Sequence, residues 1–157
     1  MRYEVVIPGW APTSLNVLTK GHWSKAHRAK VAYRDRVAQE LDLARVPRVA
    51  MPRSVVRAIK ATGIKNPVVL EGPIPRRRRL EVAIVLGTVR EPDGRFRKGG
   101  QALDPDNVSK ALRDALVEGG FLVDDSPQWL EGVEPSIVPD DGNGHRTRII
   151  LEDLEDR

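Results

Sequence analysis

Residues 101–128 read Q-A-L-D-P-D-N-V-S-K-A-L-R-D-A-L-V-E-G-G-F-L-V-D-D-S-P-Q, two acidic clusters bracketing one well-signed helix. Val108, Ala111, Leu112, Ala115 and Leu116 fall at i, i+3, i+4, i+7 and i+8, a single apolar stripe. Asp106 or Asn107 supplies the N-cap, and Gly119-Gly120 ends the helix where a left-handed residue is wanted. Pro105 disfavours a helical conformation at Asp104, which keeps that carboxylate on an extended lead-in. The apolar run Phe121-Leu122-Val123 then enters the core and delivers Asp124 and Asp125 just beyond it. A helix of about fourteen residues spans roughly 21 Å, so the second acidic pair meets the first only if the chain returns along the helix. If it does, three or four carboxylates converge with Lys110 beside them. Like charges that close oppose one another's ionisation. A hard divalent ion relieves the conflict, because Mg²⁺ takes carboxylate oxygens and keeps waters for an incoming phosphate. Taken singly, each acid has a plainer role: Asp before a helix is a cap, Asp-Asp-Ser-Pro is a turn, and Asp114 pairs with Lys110 at i,i+4.

The flanking chain supplies further elements. Arg2 to Pro8 is a short strand closed by Pro8 and Gly9. Ser24 to Ala44 is a helix with Ala26, Ala29, Tyr33, Val37, Leu41 and Ala44 as its apolar stripe. Residues 45–75 carry five prolines and are expected to form an irregular surface insert, with a short helix over 53–62 and a strand fragment at 68–70. Leu80 to Leu86 is a strand. Trp129 to Val138, interrupted by Gly132 and Pro135, and Arg146 to Leu151 are two more, joined by a D-D-G-N-G turn. Residues 152–157 are expected to fray. Strands and helices without regular alternation predict one α+β domain over 1–157, a small mixed sheet with two main helices packed on it.

Charge narrows the function. The segment 124–157 holds 10 acidic and 3 basic side chains, whereas 1–123 holds 23 basic and 12 acidic, so a basic body carries an acidic end. Such a body suits a polyanion, with phosphate contacts supplying salt-dependent affinity. Three segments carry the basic charge: Lys25, Arg28, Lys30 and Arg34 on the first helix, the tetrad Arg76-Arg77-Arg78-Arg79, and Arg95, Arg97 and Lys98 before Asp104. Aromatics make up only 4 %, too few for stacking platforms that hold single strands. With no cysteine, disulfides and thiolate zinc sites are excluded. No apolar run approaches membrane-span length and the start lacks signal-peptide architecture, which predicts a cytoplasmic protein.

The string D-x-D-N-x-x-K, then D-x-L, a glycine pair and D-D-S, carried by Asp104, Asp106, Asn107, Lys110, Asp114, Leu116, Asp124, Asp125 and Ser126, resembles the RusA family of Holliday junction resolvases. Two weaker likenesses accompany it: P-T-S-L-N ending at Asn16, a candidate substrate contact, and Lys30 to Val37, similar to the family's K-x-x-Y-R-x-x-V. The resemblance implies a bacterial or phage-encoded endonuclease that resolves four-way DNA junctions as a homodimer. It implies Mg²⁺, with Mn²⁺ as a substitute, held by Asp104, Asp106 and Asp125, with Asp124 the alternative ligand and Lys110 the essential lysine. Two other readings stay open: a basic DNA-binding module whose acids are caps and turns, and a nuclease acting on flaps or duplex.

Overall fold

The computed structural model describes residues 1–9, 23–63, 72–85, 105–138 and 142–155. The expected strand fragment at 68–70 lies outside them, as do Asn16, Arg95, Arg97, Lys98 and Asp104. The elements in chain order are β1 (Arg2–Pro8), α1 (Trp23–Leu43), α2 (Arg53–Ala61), β2 (Arg78–Val85), α3 (Pro105–Glu118), β3 (Leu130–Gly132), β4 (Ser136–Val138) and β5 (Arg146–Asp153). This is an α+β architecture: a five-stranded mixed sheet with three helices, the two main ones and the short helix expected over 53–62.

β5 lies between β1 and β2, antiparallel to both, and registers Ile149 against Val5 on one side and Val82 on the other. The far edge of β2 takes β3 and then β4, both parallel, at Arg78–Leu80 and Ala83–Val85. These two short strands are one edge strand with a break. Pro135 has no N–H to give the ladder and Gly132 has no side chain to pack, so pairing lapses between them. β4 and β5 do not form the expected hairpin: they flank opposite sides of β2 and do not pair with each other. Turn composition identifies a reversal of the chain, but the pairing partner is set by which apolar faces meet.

Val5, Ile7, Leu80, Val82, Ile84, Ile149 and Leu151 form the covered face of the sheet. Against it pack Tyr33, Val37 and Leu41 of α1 and Val108, Leu112, Ala115 and Leu116 of α3. The α3 stripe is therefore as expected, with Ala111 half-buried at its margin. The α1 stripe is shorter than expected: Ala29 is exposed, and so is Ala44, which lies beyond the last helical residue Leu43. The segment 45–50 is not a surface elaboration either, since Val46 and Val49 are buried at 4 % and 1 % exposure.

That segment is tied to the end of α3. Val49 and Ala50 N–H both donate to the Gly120 carbonyl at 2.9 and 3.0 Å. Arg48 donates to the Gly119 carbonyl and lies 4.7 Å over the Phe121 ring. Gly120 has φ +78°, and a Cβ there would run into the backbone of Ala50. Gly120→Ala combines left-handed strain with a backbone collision, and we expect it to cost about 2–4 kcal/mol in urea denaturation. A cost below ~0.5 kcal/mol contradicts this close approach.

Candidate functional site: a cleft beside helix α3

Helix α3 begins at Pro105, whose fixed φ suits a first helical position, so Asp106 and Asn107 lie within its first turn rather than capping it as expected. Asp106, Ser109, Lys110 and Arg113 recur at i, i+3, i+4 and i+7, so all four share one face, opposite in kind to the buried stripe. After Glu118 the chain closes the helix with Phe121 and Leu122 N–H, both donating to the Leu116 carbonyl at 2.9 and 3.2 Å. Phe121 and Leu122 sink into the core at 0 % and 1 % exposure. No strand forms here. The chain turns at once, and Asp125 emerges exposed beside α3.

The return expected of the sequence takes this form. One cleft of about 420 Å³ is lined by Asp106, Ser109, Lys110 and Arg113 of α3, by Asp125, and by Gly132 to Pro135 at the break in the edge strand. Asp106 and Lys110 thus face the same space as Asp125, although 15 residues separate Lys110 from Asp125. Asp124 is differently employed: its Oδ1 accepts the Ser126 N–H at 2.9 Å, an Asx turn. Asp124 is also absent from the cleft wall. Asp114 does not pair with Lys110 as expected; it lies 3.6 Å from Lys30 of α1. Lys110 is exposed and makes no ion pair with the described residues.

Three residues of the cleft escape the sequence motif. Ser109 and Arg113 are legible in retrospect from the helical period counted from Asp106. Glu134 is not, because it reaches the cleft only through the pairing of the edge strand with β2. With Glu134, the wall presents three carboxylates and two cations. Among the described residues no three carboxylates or imidazoles come close enough to hold a metal by themselves. Mg²⁺ commonly uses one or two carboxylates and fills its octahedron with water, so Asp106 and Asp125 are a fitting hard-oxygen set.

A second groove, of about 400 Å³, runs between α1 and α3 and meets the first at Asp125, which lines both. His27, Lys30, Arg34 and Arg53 supply its basic side, Asp114 and Glu118 its acidic side. Arg34 lies 3.4 Å and Arg57 2.8 Å from Glu118, and the Arg57 guanidinium holds the Glu118 carboxyl below the usual carboxylate range. Tyr33, at the floor of this groove, has its phenol pushed up to about 12 by burial and stays protonated at neutral pH. Lys30 and Arg34 are therefore engaged with α3, whereas Arg28 stands exposed in solvent. The Lys25 side chain lies outside the description.

The tetrad 76–79 is not the free basic patch that its sequence suggests. Arg78 is completely buried, donating Nε to Asp153 at 2.7 Å and Nη1 to the Phe121 carbonyl at 2.9 Å. A DNA contact by Arg78 is excluded by this burial. Arg79 lies 2.7 Å from Glu131 and 3.3 Å from Glu152, Arg77 3.9 Å from Glu131, and Arg76 3.5 Å from Asp153. The acidic end of the chain is folded onto the basic body. Glu152 and Asp153 accordingly belong to β5 rather than to a frayed tail.

Among the described residues no helix is long and apolar enough to cross a membrane. No family model matches the chain, and no curated protein matches it. What the cleft does therefore rests on the chemistry of its own side chains.

Proposed function

We propose that this chain is a Mg²⁺-dependent endonuclease of the RusA kind, resolving four-way DNA junctions. The observation that carries this reading is the shared cleft. Asp106, Lys110 and Asp125, three of the residues that bear the resemblance, are brought to one solvent-open space by a helix and the turn that follows it. Pure binding of DNA gains nothing from carboxylates lining the contact surface, because they repel phosphates. Asp106 and Asp125 would hold the ion, with Asp104 the third ligand implied by the motif. Asp125 is favoured over Asp124, whose carboxylate is engaged with Ser126 N–H. When bound, the ion supplies an activated water and neutralises charge growing on the phosphate.

Lys110 lies one helical turn beyond Asp106 on the same face, with its ammonium free of any carboxylate among the described residues. Its role in this reading is to hold the phosphate oxygens as negative charge grows on them. Lys110→Ala is expected to slow junction cleavage by about a hundredfold, ~3 kcal/mol of barrier. Mg²⁺ affinity, read by titration calorimetry, should persist, because an ammonium is not a metal ligand. A loss under about tenfold returns Lys110 to the helix surface.

Resolution of a junction needs two matched nicks, and one 17.5 kDa domain with one cleft needs a symmetric partner to make them. A C₂ homodimer follows. Light scattering at working concentration should read twice the chain mass; a monomer with full resolving activity contradicts it.

A further inference from the structure

The cleft holds an arginine that neither the motif nor the metal chemistry uses. Arg113 is half-buried and forms no ion pair with the described residues, although Asp106, Asp125 and Glu134 line the same space. Of the other described arginines that are not fully exposed, Arg34, Arg48, Arg77, Arg78 and Arg79 each lie within 4.0 Å of a carboxylate, and Arg36 and Arg146 donate to backbone carbonyls. The Arg113 Nε is shielded from solvent without a hydrogen-bond acceptor among the described residues. One helical turn before it, Ser109 is 3 % exposed, and its hydroxyl also lacks a partner among the described residues. Gly132, across the cleft, leaves the guanidinium its room: a Cβ there would stand 3.0 Å from Arg113 Nη2.

Arg113 is half-buried at the wall of a solvent-open cleft, where an acceptor with several oxygens suits its guanidinium; the Ser109 hydroxyl on the same wall is sealed from solvent. Guanidinium and phosphate match as a two-bond fork, which Lys110 as a point charge does not offer. Asp106, Ser109, Lys110 and Arg113 line the α3 face of the cleft, and Asp125 faces the same space. We propose that Arg113 is a substrate-binding residue that grips a backbone phosphate of the strand in the cleft. This rests on the nuclease reading for its substrate class, but the grip itself needs no divalent ion.

The test is binding without metal. Wild-type, Arg113→Gln and Arg113→Lys chains are titrated against a four-way junction and a duplex in EDTA, over a series of salt concentrations. Far-ultraviolet circular dichroism and urea midpoints confirm that each variant is folded. Arg113→Gln is expected to weaken binding about tenfold and to lower the salt slope by about one. Arg113→Lys keeps the charge but loses the fork, so the salt slope should hold while affinity falls a few-fold. If Arg113→Gln binds with wild-type affinity and slope, the proposal is overturned, whether or not the wild-type protein nicks DNA. Wild-type protein that binds but never nicks defeats the nuclease reading and leaves the Arg113 grip readable. A wild-type protein with no affinity for either DNA overturns both.

Discussion

Asp106→Asn and Asp125→Asn should each lower Mg²⁺-dependent junction cleavage about a hundredfold or more, while junction binding in EDTA stays level or tightens. The substitution keeps size and hydrogen bonding but removes one negative charge and one good ligand for a hard cation. A hundredfold corresponds to ~3 kcal/mol of barrier. Binding moves the other way because each carboxylate in the cleft repels phosphate when no cation stands between them. The same pair of outcomes is expected for Asp104→Asn, on the strength of the motif. If Asp106 only favours the first turn of α3 and Asp125 is only a turn residue, Asn keeps the fold and neither measurement moves far. Gel-shift affinity and nicking rates for the variants separate the two cases. Variants that nick at the wild-type rate contradict the metal-site assignment.

The largest effect on stability is expected at the buried pair of Arg78 and Asp153. Their side chains are 0 % and 7 % exposed, and the bond between them measures 2.7 Å. Asp153→Ala leaves the Arg78 guanidinium buried with only the Phe121 carbonyl and the Tyr3 ring, 5.8 Å away, beside it. Breaking one side of such a pair costs about 3–5 kcal/mol. Arg78→Met alone strands the carboxylate instead, and Arg76, 3.5 Å away and half in solvent, compensates only in part. The double variant Arg78→Met/Asp153→Leu should recover most of the loss, because two apolar groups of similar size demand no partner. Urea denaturation of the two singles and the double gives the cycle. A single-variant cost under ~1 kcal/mol would show that Arg78 finds solvent or another acceptor, and would reopen it as a DNA contact.

This pair shows where the sequence stops being legible. Four consecutive arginines look like a nucleic-acid patch, and an acidic terminus looks like a solvated tail. Which residues they face depends on the sheet register, and β2 sets Arg78 opposite Asp153 and Arg79 opposite Glu152. Antiparallel pairing at a distance of some 75 residues cannot be counted off a local pattern. Helix α3 lies at the other extreme. Its start at Pro105 falls one or two residues before the expected cap, but its stripe and its glycine end are local and follow from the sequence. The same holds for β1, whose alternation and closing proline fix Arg2–Pro8.

The cleft falls between these extremes. That Asp106 and Lys110 share a face is helical arithmetic. That Asp125 joins them depends on how tightly the chain turns after Gly120, which is set by Phe121 and Leu122 reaching the core and by the Ala50 backbone closing over Gly120. The part of Glu134 depends on the edge strand breaking at Gly132 to Pro135. The basic face of α1 was legible as a charge run, but its use was not. Lys30 and Arg34 point toward acids on α3 that lie 84 residues from them in sequence.

The most direct test of the central claim is a labelled four-way junction and a duplex of the same sequence, incubated with the wild-type protein with and without Mg²⁺. Paired nicks across the junction, dependent on Mg²⁺ and absent or much slower on the duplex, are the expected result. A junction that is bound but left intact in Mg²⁺ and in Mn²⁺ contradicts the account.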